Sequence, residues 1–179
     1  MSEKVKYLYP FPKWQPDDRS FLILREWWQE LENNKGERAA LRRADSLTEV
    51  VYCSIYHRLL RTLRKEGYTV PEAHMPKLAA IAGLAARIDD TPGKLGAQMG
   101  TLKPGDKPVI SELRMRRVLA CDDLEELYTL LRRALSIIGG NASLTGLAAT
   151  IWHWKSLAEK NPHDSRKQMA YDYYAAASI

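Results

Sequence analysis

Residues 36–44 and 111–119 each carry three arginines on a stretch with apolar positions at helical spacing: Arg38, Arg42 and Arg43, then Arg114, Arg116 and Arg117. Arginine is the cation best shaped to grip phosphate, because its planar fork donates two parallel hydrogen bonds and never loses its proton. Arg38 and Arg42 are four apart and share a helix face, with Arg43 turned to the side; Arg114 and Arg117 share a face, with Arg116 pointing elsewhere. Cations arranged this way on several helices form a track for a phosphate backbone, held by charge without reading bases. Arg58, Arg61 and Lys65 fall at i, i+3 and i+7 and read equally well as an ordinary solvated face.

No catalytic constellation of comparable strength competes with these arginines. Cys53 and His57 are four apart, as metal ligands on one helix face often are, but no second Cys/His pair stands at a matching spacing, so two packed side chains are the simpler reading. His153, between Trp152 and Trp154, reads as a core or interface residue. Asp89-Asp90 and Asp122-Asp123 are adjacent acidic pairs, and helix capping accounts for the second without a metal. Gly93, Gly96 and Gly100 lack the Lys-Ser/Thr ending of a nucleotide-binding loop. Nothing matches a helix-turn-helix or zinc-finger signature. The expectation is a binding protein with an anionic partner, not an enzyme, with no cofactor and no metal.

Helices must position the arginines. Pro10, Pro12 and Pro16 predict an extended arm over residues 1–17. Asp17 or Asp18 then caps a helix over 21–31, whose Phe21, Leu24, Trp27, Trp28 and Leu31 make one apolar stripe. Gly36 interrupts, a short helix runs over 37–44, and Asp45 or Ser46 caps a third to about residue 65, with Tyr52, Tyr56, Leu59, Leu60 and Leu63 on its apolar side. Gly67 and Pro71 end that helix, and Pro76 starts one over 77–87.

Seven glycines and prolines between residues 89 and 108 predict a long loop with one short turn. Helices follow over 111–121, 122–138, 144–157 and 164–177, and no strand alternation or hairpin signal is present. The pattern predicts an all-α fold of two packed helical bundles: an N-terminal subdomain over 18–88 and a C-terminal one over 109–179, joined by the 89–108 loop.

A chain of 179 residues with 45% hydrophobic and 27% charged residues is ordinary for a globular protein. Its net charge of +5 favours an acidic partner, although slight basicity for solubility would explain the total alone. No apolar run approaches the roughly 20 residues that span a bilayer, and residues 1–7 hold no secretion signal. Two cysteines far apart fit no disulfide framework, so a reducing cytoplasm is the expected compartment.

The segment Gly36-Glu37-Arg38-Ala39-Ala40-Leu41-Arg42-Arg43-Ala44, following Trp27-Trp28 and Leu31, resembles the N-terminal signature of the small subunit of the type I-E CRISPR Cascade complex, the CasB family. Ser111-Glu112-Leu113-Arg114-Met115-Arg116-Arg117-Val118-Leu119-Ala120-Cys121-Asp122 is similar to that family's central motif, Leu130-Leu131-Arg132-Arg133 follows at its usual distance, and residues 144–154 resemble its closing pattern. The order and spacing of these segments over about residues 20–175 carry the resemblance.

It implies a non-catalytic subunit of an RNA-guided surveillance complex of antiviral defence. Its partners would be the large subunit, the backbone subunits, a second copy of itself and the crRNA-guided target DNA, with no membrane involved. The small subunits of this family stabilise the opened DNA, particularly the displaced strand, while base pairing reads the sequence and a separate helicase-nuclease cleaves. Arg42, Arg43 and Arg114 match family motif positions and are the expected phosphate contacts; Arg117 joins them by helix geometry and Lys94 by its place in the loop. The Pro-rich arm matches nothing in the family. Two other readings stay open: a helical scaffold making protein contacts alone, and a stand-alone nonspecific nucleic-acid-binding protein.

Overall fold

The structure, a computed structural model, describes residues 11–155 and 164–178, and the predicted all-α architecture is what it shows. The first helix, α1 (Arg19–Asn33), begins where expected, after Asp18, and buries Phe21, Ile23, Leu24, Trp27 and Leu31. The indoles of Trp27 and Trp28 donate to the carbonyls of Ile55 at 2.9 Å and Ala85 at 3.0 Å, so each ring is both packed and hydrogen-bonded. The described part of the arm turns back onto the protein: Trp14 is buried and meets Trp152 edge-to-face at 5.5 Å.

The interruption placed at Gly36 comes two residues earlier. Asn34 leaves helical geometry and its side-chain oxygen accepts from the Glu37 amide at 3.2 Å, so Gly36 lies inside the first turn of α2 (Lys35–Arg43). The single helix expected to run to residue 65 is two: α3 (Leu47–Val51) and α4 (Ser54–Lys65), separated where Cys53 adopts extended backbone. Ser46 caps α3 as anticipated. The break throws Tyr52 off the apolar side, leaving it 80% exposed, while Tyr56, Leu59, Leu60 and Leu63 stay buried.

A 3-10 turn (Glu72–His74) leads into α5 (Met75–Ala85), in which every residue from Leu78 onward is buried. A helix apolar all round belongs at a centre, and α5 packs against α2, α3, α4, α8 and α9. Gly83 makes part of this possible: a side chain there would collide with the Tyr128 hydroxyl and Val50.

The stretch predicted as a long loop contains more order than its glycines and prolines suggest. It holds α6 (Leu95–Gly100) and a two-stranded antiparallel hairpin, β1 (Leu102–Lys103) and β2 (Lys107–Pro108), pairing Leu102 with Pro108 and Lys103 with Lys107. Strands this short give no alternation to detect. The helix exists because Gly96 and Gly100 lie one turn apart, which lets α6 rest against the backbone of α10 (Ser165–Ala177). A methyl group on either glycine would press into the carbonyl of Met169 or Tyr173. Tertiary fit here overrides poor helix propensity.

The remaining helices are α7 (Glu112–Leu119), α8 (Leu124–Ile137) and α9 (Leu144–Trp152). Asp123 caps α8 through the Glu126 amide at 2.8 Å, and Ser143 caps α9 through that of Gly146 at 3.1 Å. α9 stops before the predicted 157, whose last two positions lie outside the described residues. Lys77 closes it, its ammonium donating to the carbonyls of Trp152 at 2.9 Å and Trp154 at 2.7 Å. Buried apolar residues from Trp14 to Ala177 form one continuous cluster.

Candidate nucleic-acid interface

The arginines of α2 divide by what the end of α5 requires. The last carbonyls of a helix have no partner within it and carry partial negative charge. Arg38 supplies that partner, donating from Nε to Ala86, which caps α5, at 3.1 Å; its Nη2 donates to Ile88, just beyond the helix, at 3.2 Å, and it also pairs with Glu32. Arg42 donates from Nε to the same Ala86 carbonyl at 2.7 Å. In return Arg87 donates to the carbonyl of Arg42. Arg43 is exposed and has no partner among the described residues.

Helix α8 reaches the same junction from the other side. Tyr128 donates its hydroxyl to the Ala44 carbonyl at 3.0 Å, and Arg132 donates to the Asp45 carbonyl at 3.1 Å while pairing with its carboxylate. Burial, and then the neighbouring cations Arg132 and Arg42, pull the Arg87 guanidinium below its usual pKa. Sequence reasoning does not single out Arg87, because the carbonyl it serves, that of Arg42 at the end of α2, is 45 residues away along the chain. Arg133, next along α8, is exposed and unpartnered among the described residues.

Met115 and Val118 anchor α7 in the core, which fixes its outward face. Arg114 and Arg117 lie there, exposed and without an ion-pair partner among the described residues. Arg116 points elsewhere, as predicted, and pairs with Glu112 at 2.8 Å. Lys94 is exposed but engaged: its ammonium holds Asp172 of α10 at 3.0 Å. On α4, Arg58 pairs with Glu37 at 3.2 Å and Glu30 at 3.6 Å, whereas Arg61 and Lys65 are exposed and unpaired among the described residues.

Of the five predicted contacts, then, Arg42 and Lys94 hold elements of the fold together, while Arg43, Arg114 and Arg117 present free guanidiniums. Arg42 uses only Nε internally. α8 connects the two arginine helices, packing on α7 and fastened to the end of α2.

The other chemistry-bearing residues are taken up by structure. Cys53 donates to the Glu49 carbonyl at 3.5 Å and a ring nitrogen of His57 lies 2.7 Å from the Val51 carbonyl, with the His57 ring exposed on one side and edge-to-face against Tyr56 at 5.1 Å on the other. Asp90 accepts from the Leu144 amide at 2.8 Å, and Asp122 pairs with Lys155 at 3.1 Å and Arg166 at 3.2 Å. Among the described residues no group of three or more His, Cys, Asp or Glu is placed to hold a metal ion, and no helix is long and apolar enough to cross a membrane.

Residues 37–174 match the protein family described as CRISPR-associated protein Cse2. No curated protein and no solved structure matches the chain significantly. The matched span takes in α2, α7, α8 and their arginines, and leaves the arm and α1 outside it. On this match, over well more than half its length, the chain belongs to the Cse2 family, non-catalytic subunits of the Cascade complex of CRISPR antiviral defence.

Proposed function

We propose that this subunit holds the opened target DNA of its complex, especially the displaced strand, by phosphate contacts from Arg43, Arg114 and Arg117. One observation carries the reading. The neighbouring cations Arg38, Arg58, Arg116 and Arg132 are each neutralised by a carboxylate of the same chain, whereas these three guanidiniums are exposed and unneutralised among the described residues. An exposed arginine without an acidic neighbour keeps its whole fork for an external oxyanion. Arg42 supports the strand with its two terminal nitrogens, and Lys94 contributes only when Asp172 releases it. The remaining Cascade subunits, a second copy of the chain and the guide-paired target are its partners in the cytoplasm.

A scaffold role in protein contacts has its own support in two exposed apolar side chains on the C-terminal half, Leu113 (66%) and Tyr171 (74%). The experiment is charge reversal at Arg43 and Arg114, read twice: as assembly with the other subunits, and as retention of labelled target DNA by the assembled complex. Intact assembly with weakened retention is expected. Lost assembly supports the scaffold reading, and unchanged retention overturns the strand-holding one.

A further inference from the structure

The hairpin sets two lysines face to face. Lys103 and Lys107 are directly opposed in the antiparallel ladder, so their side chains leave the same face of the ribbon, with the Leu102–Pro108 pair on the other. Both lysines are exposed, and neither has a partner among the described residues; Asp106, at the turn, pairs with neither. Like charges directly opposite destabilise a ladder, and a two-stranded ribbon has little stability of its own.

The chain nevertheless builds this ribbon with care. Its turn uses Gly105 at φ 90° and Asp106 at φ 53°, left-handed conformations that are costly for residues other than glycine. Its base is fastened by the amides of Val109 and Ile110, which donate to Thr101 at 2.9 Å and Met99 at 3.0 Å, and Ile110 is buried. The tip is open: nothing lies within 4 Å of where a Gly105 side chain would start.

A firmly anchored, projecting ribbon with two unneutralised ammonium groups on one face lacks only its counter-ion. We propose that the Lys103–Lys107 face is a second contact for a nucleic-acid backbone, one phosphodiester being held between the two ammonium groups. The hairpin contact rests on the strand-holding reading above but uses none of its arginines.

The test takes the full chain and a labelled oligothymidylate across a salt series, comparing wild type, Lys103→Ala/Lys107→Ala, Lys107→Glu and Arg43→Ala/Arg114→Ala. Lys107→Glu is the deciding variant, because it replaces the opposed like charges by an opposed salt bridge. It is expected to melt at the same temperature as wild type or higher, yet to bind more weakly. The double alanine variant is expected to flatten the log K against log salt slope by about 0.7 for each lysine removed. Unchanged affinity and slope in both hairpin variants, with binding lost in the arginine variant, overturns the hairpin contact alone. Binding lost in the hairpin variants but kept in the arginine variant overturns the arginine assignment and upholds the hairpin. Absence of binding by wild type overturns the hairpin contact, while the arginine reading stands or falls on DNA retention by the assembled complex.

Discussion

The Nε of Arg42 lies 2.7 Å from the carbonyl oxygen of Ala86, and the guanidinium of Arg87, the next residue, reaches back to the carbonyl of Arg42. The pair of bonds fastens the end of α2 to the end of the buried helix α5. An arginine that looks like a ligand contact from its motif is thereby also a structural clasp. Arg42→Ala is expected to lower stability by about 1.5–3 kcal/mol, the range for a hydrogen bond to a charged group. Arg43→Ala should stay within about 0.5 kcal/mol of wild type, as an exposed substitution away from such bonds does. Urea unfolding of both variants, followed by DNA-binding titrations, separates the clasp from the contact: the Arg43 variant should lose affinity at unchanged stability.

Glycine substitutions divide in the same manner. Gly96→Ala or Gly100→Ala drives a methyl into an α10 carbonyl and should cost about 1–3 kcal/mol, the range for overpacking, together with loss of amide-exchange protection in α10. Gly36→Ala has only the Asn34 side-chain oxygen at 3.6 Å to meet and lies within a helix, so it should stabilise by about 0.4–1 kcal/mol.

His74 is stacked against Trp152 at 4.9 Å, with Phe11 at 6.1 Å, and burial and then the nearby Lys77 hold its pKa below the usual histidine value. The unfolded chain therefore binds a proton at a pH where the folded protein does not. Stability should be fully present above about pH 6.5, the unfolded histidine value, and fall as the pH drops through the lower folded value. Thermal melts between pH 7.5 and 5 check this, and His74→Gln should remove that part of the dependence.

Burial, reinforced by Glu126, pushes the Cys121 thiol up to about 11, and burial and Glu49 push Cys53 upward as well. Since the thiolate is the reactive form, both cysteines should label slowly with iodoacetamide at pH 7.5. The half-buried Cys53 should react before the buried Cys121. Zinc should leave the melting temperature unchanged, because Cys53 and His57 are each engaged by a main-chain carbonyl. A melting-temperature rise with equimolar zinc would count against that.

What the sequence made legible was decided by periodicity. The stripes of α1, α4 and α8 appear in the chain as repeating apolar positions, and their burial follows. Boundaries set by a single polar side chain were harder: Asn34, not Gly36, divides α1 from α2, because its oxygen meets an amide three residues on. The order within 89–108 was not legible, since α6 is held by a fit to backbone 73 residues away, Gly96 on Met169 and Gly100 on Tyr173, and propensity argues against it. In the candidate interface, the sequence located arginines but not their counter-charges. Only the fold shows that Asp172 takes up Lys94 while Arg43, Arg114 and Arg117 have no such neighbour among the described residues.

The seating of α6 against α10 has a consequence for how this protein tolerates change over time. Where two backbones touch, the joint depends on the absence of side chains at Gly96 and Gly100, while the outward residues Lys167 and Tyr171 contribute little to it. Substitutions can accumulate on that outer surface without loosening the joint. A lineage adapting to altered neighbours can rewrite the exterior of its last helix while two small residues stay fixed beneath it.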